Sequence, residues 1–406
     1  MSWETIRLGD VCLKIGSGAT PKGGSAVYID YGTSLIRSQN VYNLEFSYDG
    51  LAHITEEAAK KLDGVTVQNN DVLINITGDS VARTCIVPDN VLPARVNQHV
   101  SIIRPNSEKL DSKFLNYYLA SPYMQSFMLG LAVGKGASRN AMTKDMIANF
   151  EVPCPPIEIQ NAIVAKLSAY DNLIENNQKQ IKLLEEAAQR LYKEWFVDLR
   201  FPGYENTKIV DGVPEGWEKY PFSTKVSVMS GGTPKTDVKE YYGGNIPFYS
   251  PKDHDGSFFA YKTESTITEK GLSNCNSALY PTNTIIITAR GTVGKTTILA
   301  VPMAMNQSCY ALKCNELDLP YYLFFSLCSE VQKLKVMSNG GVFNTIIVKT
   351  FDNIEFTIPS NELAAKFELK VSPIMEQIKT KMKEKALLAE ARDRLLPKLM
   401  SGEVEV

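Results

Sequence analysis

Ser17-Gly18-Ala19-Thr20-Pro21-Lys22 returns later in the chain as Ser230-Gly231-Gly232-Thr233-Pro234-Lys235. The repetition extends outward from this loop. Before it, Trp3-Glu4 returns as Trp217-Glu218; after it, Asn97-Gln98 returns as Asn306-Gln307. A strand-like run at 71–76 returns at 284–288, and a helical pattern over 112–129 returns around 320–337. Arg190-Leu191 returns as Arg394-Leu395, each near the end of a longer helical pattern. One plan is written twice. Two divergent copies of one surface suit the reading of a two-part target better than they suit an enzyme.

The longer helical patterns settle the architecture. After Pro153-Cys154-Pro155-Pro156, a helix is predicted over 158–196. Ile163, Leu167, Tyr170, Ile174, Ile181, Leu184, Ala188, Leu191 and Trp195 are spaced alternately three and four apart once Asn177 fills the gap. That is a heptad seam with one polar member. Such a helix is on the order of 60 Å long, too long to be the core of a small domain. It is predicted to pair with a second long helix over 361–400. The same register there selects Phe367, Val371, Ile374, Ile378, Leu388, Leu395 and Leu399, with Lys381, Lys385 and Arg392 in the middle. Pro373 is expected to kink or restart this helix, with Ser372 as N-cap.

The fold class read from these patterns is α+β. Two mixed α/β domains are separated by two long antiparallel coiled-coil helices, with a pseudo-two-fold internal repeat. The expected boundaries are 1–153 and 201–358 for the globular domains, and 154–200 and 359–406 for the helices. Helix pairing is assigned to Leu167, Ile174, Asn177, Ile181, Leu184 and Leu191 with Val371, Ile378, Leu388 and Leu395.

Composition narrows the function classes. The 406 residues are 44% hydrophobic and 22% charged, as in ordinary soluble proteins. No apolar run is long enough to span a bilayer and no signal peptide opens the chain, so a cytoplasmic location is expected. The 7 cysteines form no CxxC pair and the 3 histidines are scattered, so neither a disulfide framework nor a metal site is expected. A net charge of −2 leaves any DNA affinity to local basic surface.

Several motifs carry candidate chemistry. Ala289-Arg290-Gly291-Thr292-Val293-Gly294-Lys295-Thr296 matches a permissive phosphate-loop pattern, which makes a nucleotide-binding enzyme one alternative. However, 297–302 reads as a strand stopped by Pro302, and the other copy, 77–84, keeps only Arg83. Arg83, Arg290 and Lys295 are therefore read as loop cations for DNA phosphates. Thr20 and Lys22, with Thr233 and Lys235, place a hydroxyl and a cation after glycines, also suited to phosphate. The shared Asn-Gln pairs are assigned to the framework or to backbone contact. Sequence reading is expected where the copies diverge: Arg37, Gln39 and Asn40 against Lys252, and Lys135, Arg139 and Asn140 against Asn339 and Asn344. No amino-methyltransferase motif is present; Pro153-Cys154-Pro155-Pro156-Ile157 lacks its polar first residue and its aromatic. A coiled-coil scaffold without DNA specificity is the other alternative.

Taken together, four stretches resemble the specificity subunits of bacterial Type I restriction–modification systems. They are Trp3-Glu4 with Leu8-Gly9-Asp10-Val11; Val213-Pro214-Glu215-Gly216-Trp217; Gln180-Ile181-Lys182-Leu183-Leu184 through Trp195-Phe196-Val197-Asp198; and Arg394-Leu395-Leu396-Pro397-Lys398-Leu399-Met400-Ser401-Gly402-Glu403. The resemblance covers essentially the whole chain. It implies a non-catalytic subunit of a DNA methylation and host-defence system. The two globular domains would be target recognition domains for the halves of a bipartite double-stranded DNA sequence. The helices would set the spacing and dock two methyltransferase subunits. This chain would bind no cofactor; S-adenosylmethionine, ATP and Mg would belong to the modification and restriction subunits.

Overall fold

A computed structural model of the chain describes residues 3–133, 141–315, 318–337 and 345–406. Its contacts divide the chain into two units, Met1–Ile174 with Ala386–Val406, and Glu175–Lys385.

The first unit contains β1 (Cys12–Ser17), β2 (Thr33–Ile36), β3 (Ala52–Ile54), β4 (Thr66–Val67), β5 (Val72–Asn75), β6 (Thr84–Ile86), β7 (Ala94–Val96) and β8 (Val100–Pro105). They form two four-stranded sheets, ordered β1-β8-β5-β6 and β3-β2-β7-β4. Val72 and Ile74 enter one core and Leu73 enters another, which is why this strand is apolar throughout instead of alternating. The first core is closed by α1 (Ser112–Ala120) and α2 (Pro122–Ala132). The sequence predicted one helix over 112–129. Ser121 and Pro122 divide it: the Ser121 hydroxyl accepts from Met124 N at 3.4 Å, and Pro122 begins a new first turn. The long helix α3 (Ile157–Tyr192) ends in a π-helical turn, Lys193–Val197.

The second unit contains β9 (Val226–Ser230), β10 (Tyr242–Tyr249), β11 (Phe259–Ala260), β12 (Thr266–Ile267), β13 (Ile285–Thr288), β14 (Thr296–Leu299), β15 (Ala304–Met305) and β16 (Cys309–Cys314). The order β9-β16-β13-β14-β11 extends the first unit's β1-β8-β5-β6 by one strand, and β12-β10-β15 matches β3-β2-β7. The parallel pair β2/β7 has its counterpart in β10/β15. Helices α4 (Pro320–Met337) and α5 (Asn361–Met400) follow. In each unit, the strand that begins at or just after the Glu of the repeated Trp-Glu pairs with the strand that leads into a long helix. These pairs are Thr5–Arg7 with Glu151–Pro153, and Glu218–Pro221 with Glu355–Ile358.

Within each unit, α3 and α5 pack antiparallel. In the first, Ile163 and Leu167 share a core with Leu396, Leu399 and Met400, and Arg392 donates to Asp171 at 2.7 Å. In the second, Ile181, Ala188 and Tyr192 pack with Phe367, Val371, Met375 and Ile378, and Lys385 donates to Gln178. Asn177, the polar seam residue, is 6% exposed. Ile174, Leu184, Leu191 and Leu388 are half-buried. The seam departs from its predicted register at two places: Ile374 and Leu395 are half-buried, while their neighbours Met375 and Leu396 are buried. An α-helix repeats every 3.6 residues and drifts against a strict heptad, so the buried face moves on by one residue.

The expected restart at Pro373 does not occur. Helix α5 runs through it, and the Ser372 hydroxyl donates to Glu368 O instead of capping. Pro373 and Leu369 are both exposed, so water can serve the Leu369 carbonyl that proline leaves without a donor. The long helices also receive the domains differently. Gln160 Oε1 accepts from Asp111 N at 2.8 Å in the first unit; Glu368 Oε1 accepts from Tyr322 N at 2.8 Å in the second. Among the described residues, no helix is long and apolar enough to cross a membrane.

Candidate nucleic-acid interface

In each unit, four connections converge at one end of the sheets. In the first unit they are the loop after β1, the turn after β2, the β5–β6 loop and the β7–β8 turn. Gly18 N donates to Val100 O at 2.9 Å and Ala19 N to Val96 O at 3.0 Å. Asn97 N donates to Ile36 O, and Ile76 N to His99 O, both at 2.9 Å. Asn75 Nδ2 reaches Ser38 O at 2.8 Å. In the second unit Gly232 N donates to Met305 O at 3.1 Å, Asn306 N to Tyr249 O at 2.9 Å, and Ala289 N to Ser308 O at 2.7 Å. This explains the repeated Ser-Gly. A Cβ on Gly18 would lie 2.1 Å from Val96 O, and one on Gly231 2.1 Å from Asn306 O. The prolines that follow, Pro21 and Pro234, are buried and fix the loops from beneath.

The shared Asn-Gln pairs divide their labour. Asn97 Oδ1 accepts from His99 N at 3.1 Å, and Asn306 Oδ1 from Ser308 N at 3.0 Å, so both asparagines cap their own turns. Gln98 and Gln307 are exposed beside them. Lys22 and Lys235 are exposed, Thr20 is half-buried, and the Thr233 hydroxyl donates to Gln307 Oε1.

Of the divergent residues, Gln39 and Lys252 are exposed. Arg37 is half-buried: its guanidinium lies 5.3 Å from the Tyr28 ring centroid and donates to Gly50 O at 2.5 Å, with Nε unpartnered. Asn40, expected to read a base, is instead 0% exposed. Its Nδ2 donates to Ser47 O at 2.9 Å and Asp49 O at 3.2 Å, and its Oδ1 accepts from Arg37 N at 3.0 Å. Both ends of the amide are committed to holding the turn, so Asn40 belongs to the framework. Lys135, Arg139, Asn140, Asn339 and Asn344 lie outside the described residues.

The Gly-Lys-Thr stretch forms a hairpin loop between antiparallel β13 and β14. Gly291 and Gly294 take φ of +77° and +74°, and Thr288 Oγ1 accepts from Lys295 N at 3.0 Å. A strand follows it, so it lacks the helix N-terminus whose amides would meet a phosphate. The nucleotide-binding alternative therefore has no support here. Lys295 and Arg83 hold the same register: Thr288 N donates to Lys295 O, and Asn75 N to Arg83 O, both at 2.9 Å. Arg83 stacks 4.6 Å over the exposed Tyr42 ring. Burial pushes the His254 imidazole below its usual range, and the Lys295 charge adds to that effect.

Lys22, Lys235, Lys252, Arg290 and Lys295 have no carboxylate partner among the described residues. Some lysines on the long helices do have one: Lys179 pairs with Glu175, Lys366 with Glu362 and Lys381 with Glu384. The structure thus gathers Thr20, Lys22, Gln39 and Arg83 around one loop end, and Thr233, Lys235, Lys252, Arg290 and Lys295 around the other. The sequence reading passed over Tyr42 and set aside Gln98 and Gln307 as shared; their placement in the repeat was the available signal.

Comparison with known proteins identifies the family. The family model described as "Type I restriction modification DNA specificity domain" matches residues 1–186 and 214–379. The chain is 24% identical to the Type I restriction enzyme HindI specificity subunit of Haemophilus influenzae, covering 99% of each. It is 26% identical to the MjaIX specificity subunit of Methanocaldococcus jannaschii, covering 100% of this chain and 94% of that one. A similar fold occurs in the crystal structure of a Type I restriction–modification S subunit from M. genitalium, with TM-score 0.55, 15% identity, and coverage of 98% and 96%.

Proposed function

We propose that this chain, which belongs to the Type I restriction modification DNA specificity domain family, is the DNA-recognition subunit of a Type I restriction–modification complex. The observation that carries the reading is the loop end found in both units, where cations without carboxylate partners stand among exposed amides. Lys22, Lys235, Arg290 and Lys295 suit phosphate oxygens, which position a protein without reading sequence. Exposed side chains that differ between the units are the candidates for base contact, and each unit would read one half of a bipartite target.

The long helices support two further roles. Helices of 36 and 40 residues are on the order of 55–60 Å long, enough for a coiled-coil ruler between half-sites about one DNA turn, ~34–36 Å, apart. Such a ruler would relate the two recognition domains by a pseudo-two-fold axis. Leu173 and Leu387 in the first unit, and Leu183 and Leu369 in the second, are exposed on these helices, apolar side chains suited to docking methyltransferase subunits. Methyl transfer with S-adenosylmethionine, and cleavage with ATP and Mg, would then belong to modification and restriction partners. A scaffold without DNA specificity leaves the unpaired loop cations unused.

Mapping adenine methylation across the genome, with and without this chain, tests the reading. A bipartite motif that disappears on deletion is the expected result. An unchanged map in cells with active partner subunits would overturn it.

A further inference from the structure

We infer that Gln39 and Lys252 occupy one and the same base-reading position, set for adenine in the first unit and for guanine in the second; this rests on the recognition reading above. A 3₁₀ turn follows β2 at Ser38–Asn40 and β10 at Pro251–Asp253. Their sequences share little, yet the turns are built alike. Arg37 N donates to Asn40 Oδ1 at 3.0 Å, and Ser250 N to Asp253 Oδ2 at 2.8 Å. In return, Asn40 N donates to Arg37 O at 2.8 Å, and Asp253 N to Ser250 O at 3.0 Å. The same two residues also fasten the next loop: Asn40 Nδ2 binds Ser47 O at 2.9 Å, and Asp253 Oδ1 accepts from Glu264 N at 2.7 Å. Asn40 therefore corresponds to Asp253, and Gln39 to Lys252.

Gln39 and Lys252 are each the exposed middle residue of their turn. Each turn lies against the Asn-Gln turn of its own unit, through Asn97 N to Ile36 O and Asn306 N to Tyr249 O, both 2.9 Å. At that end, Gln98 and Gln307 keep the same chemistry in both copies, whereas Gln39 and Lys252 exchange it. A residue that distinguishes two different half-sites must differ between the copies. The exchange also has chemical sense. A glutamine amide offers one acceptor and donors, matching adenine N6 and N7 in the major groove. A lysine offers donors only, matching the two acceptors of guanine, O6 and N7. The Gln39 amide is steered by two long bonds from Nε2, to Asp49 O at 3.3 Å and Gly50 O at 3.5 Å. Gly50, at φ +61°, leaves it room, since a Cβ there would lie 2.6 Å from Nε2.

The test uses the full chain assembled with its modification subunits, retained on a pool of randomised DNA duplexes that is then sequenced. Lys252→Gln is expected to shift one base pair of the second half-site from guanine toward adenine. The preference should change by about ten- to hundredfold, with the first half-site unaltered. Gln39→Lys should do the reverse in the first half-site. Affinity that falls equally for all sequences would make the position a phosphate contact and overturn the inference, as would an unchanged motif in both variants. Failure of the unsubstituted complex to retain any bipartite motif would remove the recognition reading itself, an outcome distinct from an intact motif that ignores both substitutions.

Discussion

The two loop ends share a backbone and not a surface. In both units a glycine crosses beneath the Asn-Gln turn, and an Asx residue locks the turn after the second strand. On this common frame the first unit displays Gln39 and an Arg83 stacked on Tyr42, whereas the second displays Lys252, Arg290 and Lys295 with a half-buried His254. The difference separates two kinds of residue. Those buried with their hydrogen bonds made internally hold the architecture, and the side chains that differ between the two ends are exposed ones such as Gln39 and Lys252.

The largest effect should come from breaking the frame in one unit alone. Gly18→Ala drives a Cβ into Val96 O, a backbone atom that cannot swing aside. We expect a loss of about 3 kcal/mol or more from the first unit and loss of the first half-site, with the second half-site still read. Gly231→Ala should give the mirror result. Thermal unfolding together with binding to each half-site checks both; equal damage to both half-sites by either variant would contradict the independence of the frames.

A second contrast lies where the domains meet the long helices. The first unit uses the neutral Gln160, the second the carboxylate Glu368. Burial pushes the Glu368 carboxyl up to about 7, against the lowering effect of the Tyr322 and Tyr321 amides. A raised acid pKa gives stability that is full below the ordinary carboxylate range and is lost as pH rises through about 7. Glu368→Gln should abolish that loss. Relative to the unsubstituted chain, the variant should gain about 3 kcal/mol between pH 5 and pH 8, read from urea midpoints of the second unit. A difference that stays constant with pH would refute the assignment. Gln160→Glu would sharpen the comparison by giving the first unit the same dependence.

The smallest effects belong to the loop cations. Lys22→Ala and Lys235→Ala should each weaken binding to every sequence alike and reduce the slope of log affinity against log salt by about 0.9, the value of one phosphate contact. A change in the preferred sequence instead would move these lysines from positioning to reading.

Much of the fold was legible because its signals are local. The α3 seam from Ile163 to Trp195 follows side-chain periodicity along one helix, and the loop glycines recur in the chain itself. The site was legible only in part. Asn40 and Gln39 look equally able to read a base, since both carry amides in a divergent turn. What separates them is that Asn40 is buried, with Ser47 O beneath its Nδ2 and Arg37 N on its Oδ1, while Gln39 stays exposed. Likewise Pro373 reads as a helix breaker until its exposure is known, and Met375 displaces Ile374 from the core only once the helix has turned against its partner.

The sequence by itself determined the duplication, the two long helices and the placing of glycines, prolines and cations in matching loops. These rest on spacing and on the conformational limits of single residues, which act within a few positions along the chain. Only the tertiary structure decided which loop residues are framework and which face solvent, and that the turns at 38–40 and 251–253 are equivalent despite unlike sequences. Those outcomes depend on hydrogen bonds between segments far apart in the chain, and such bonds form only when the sheets bring the segments together.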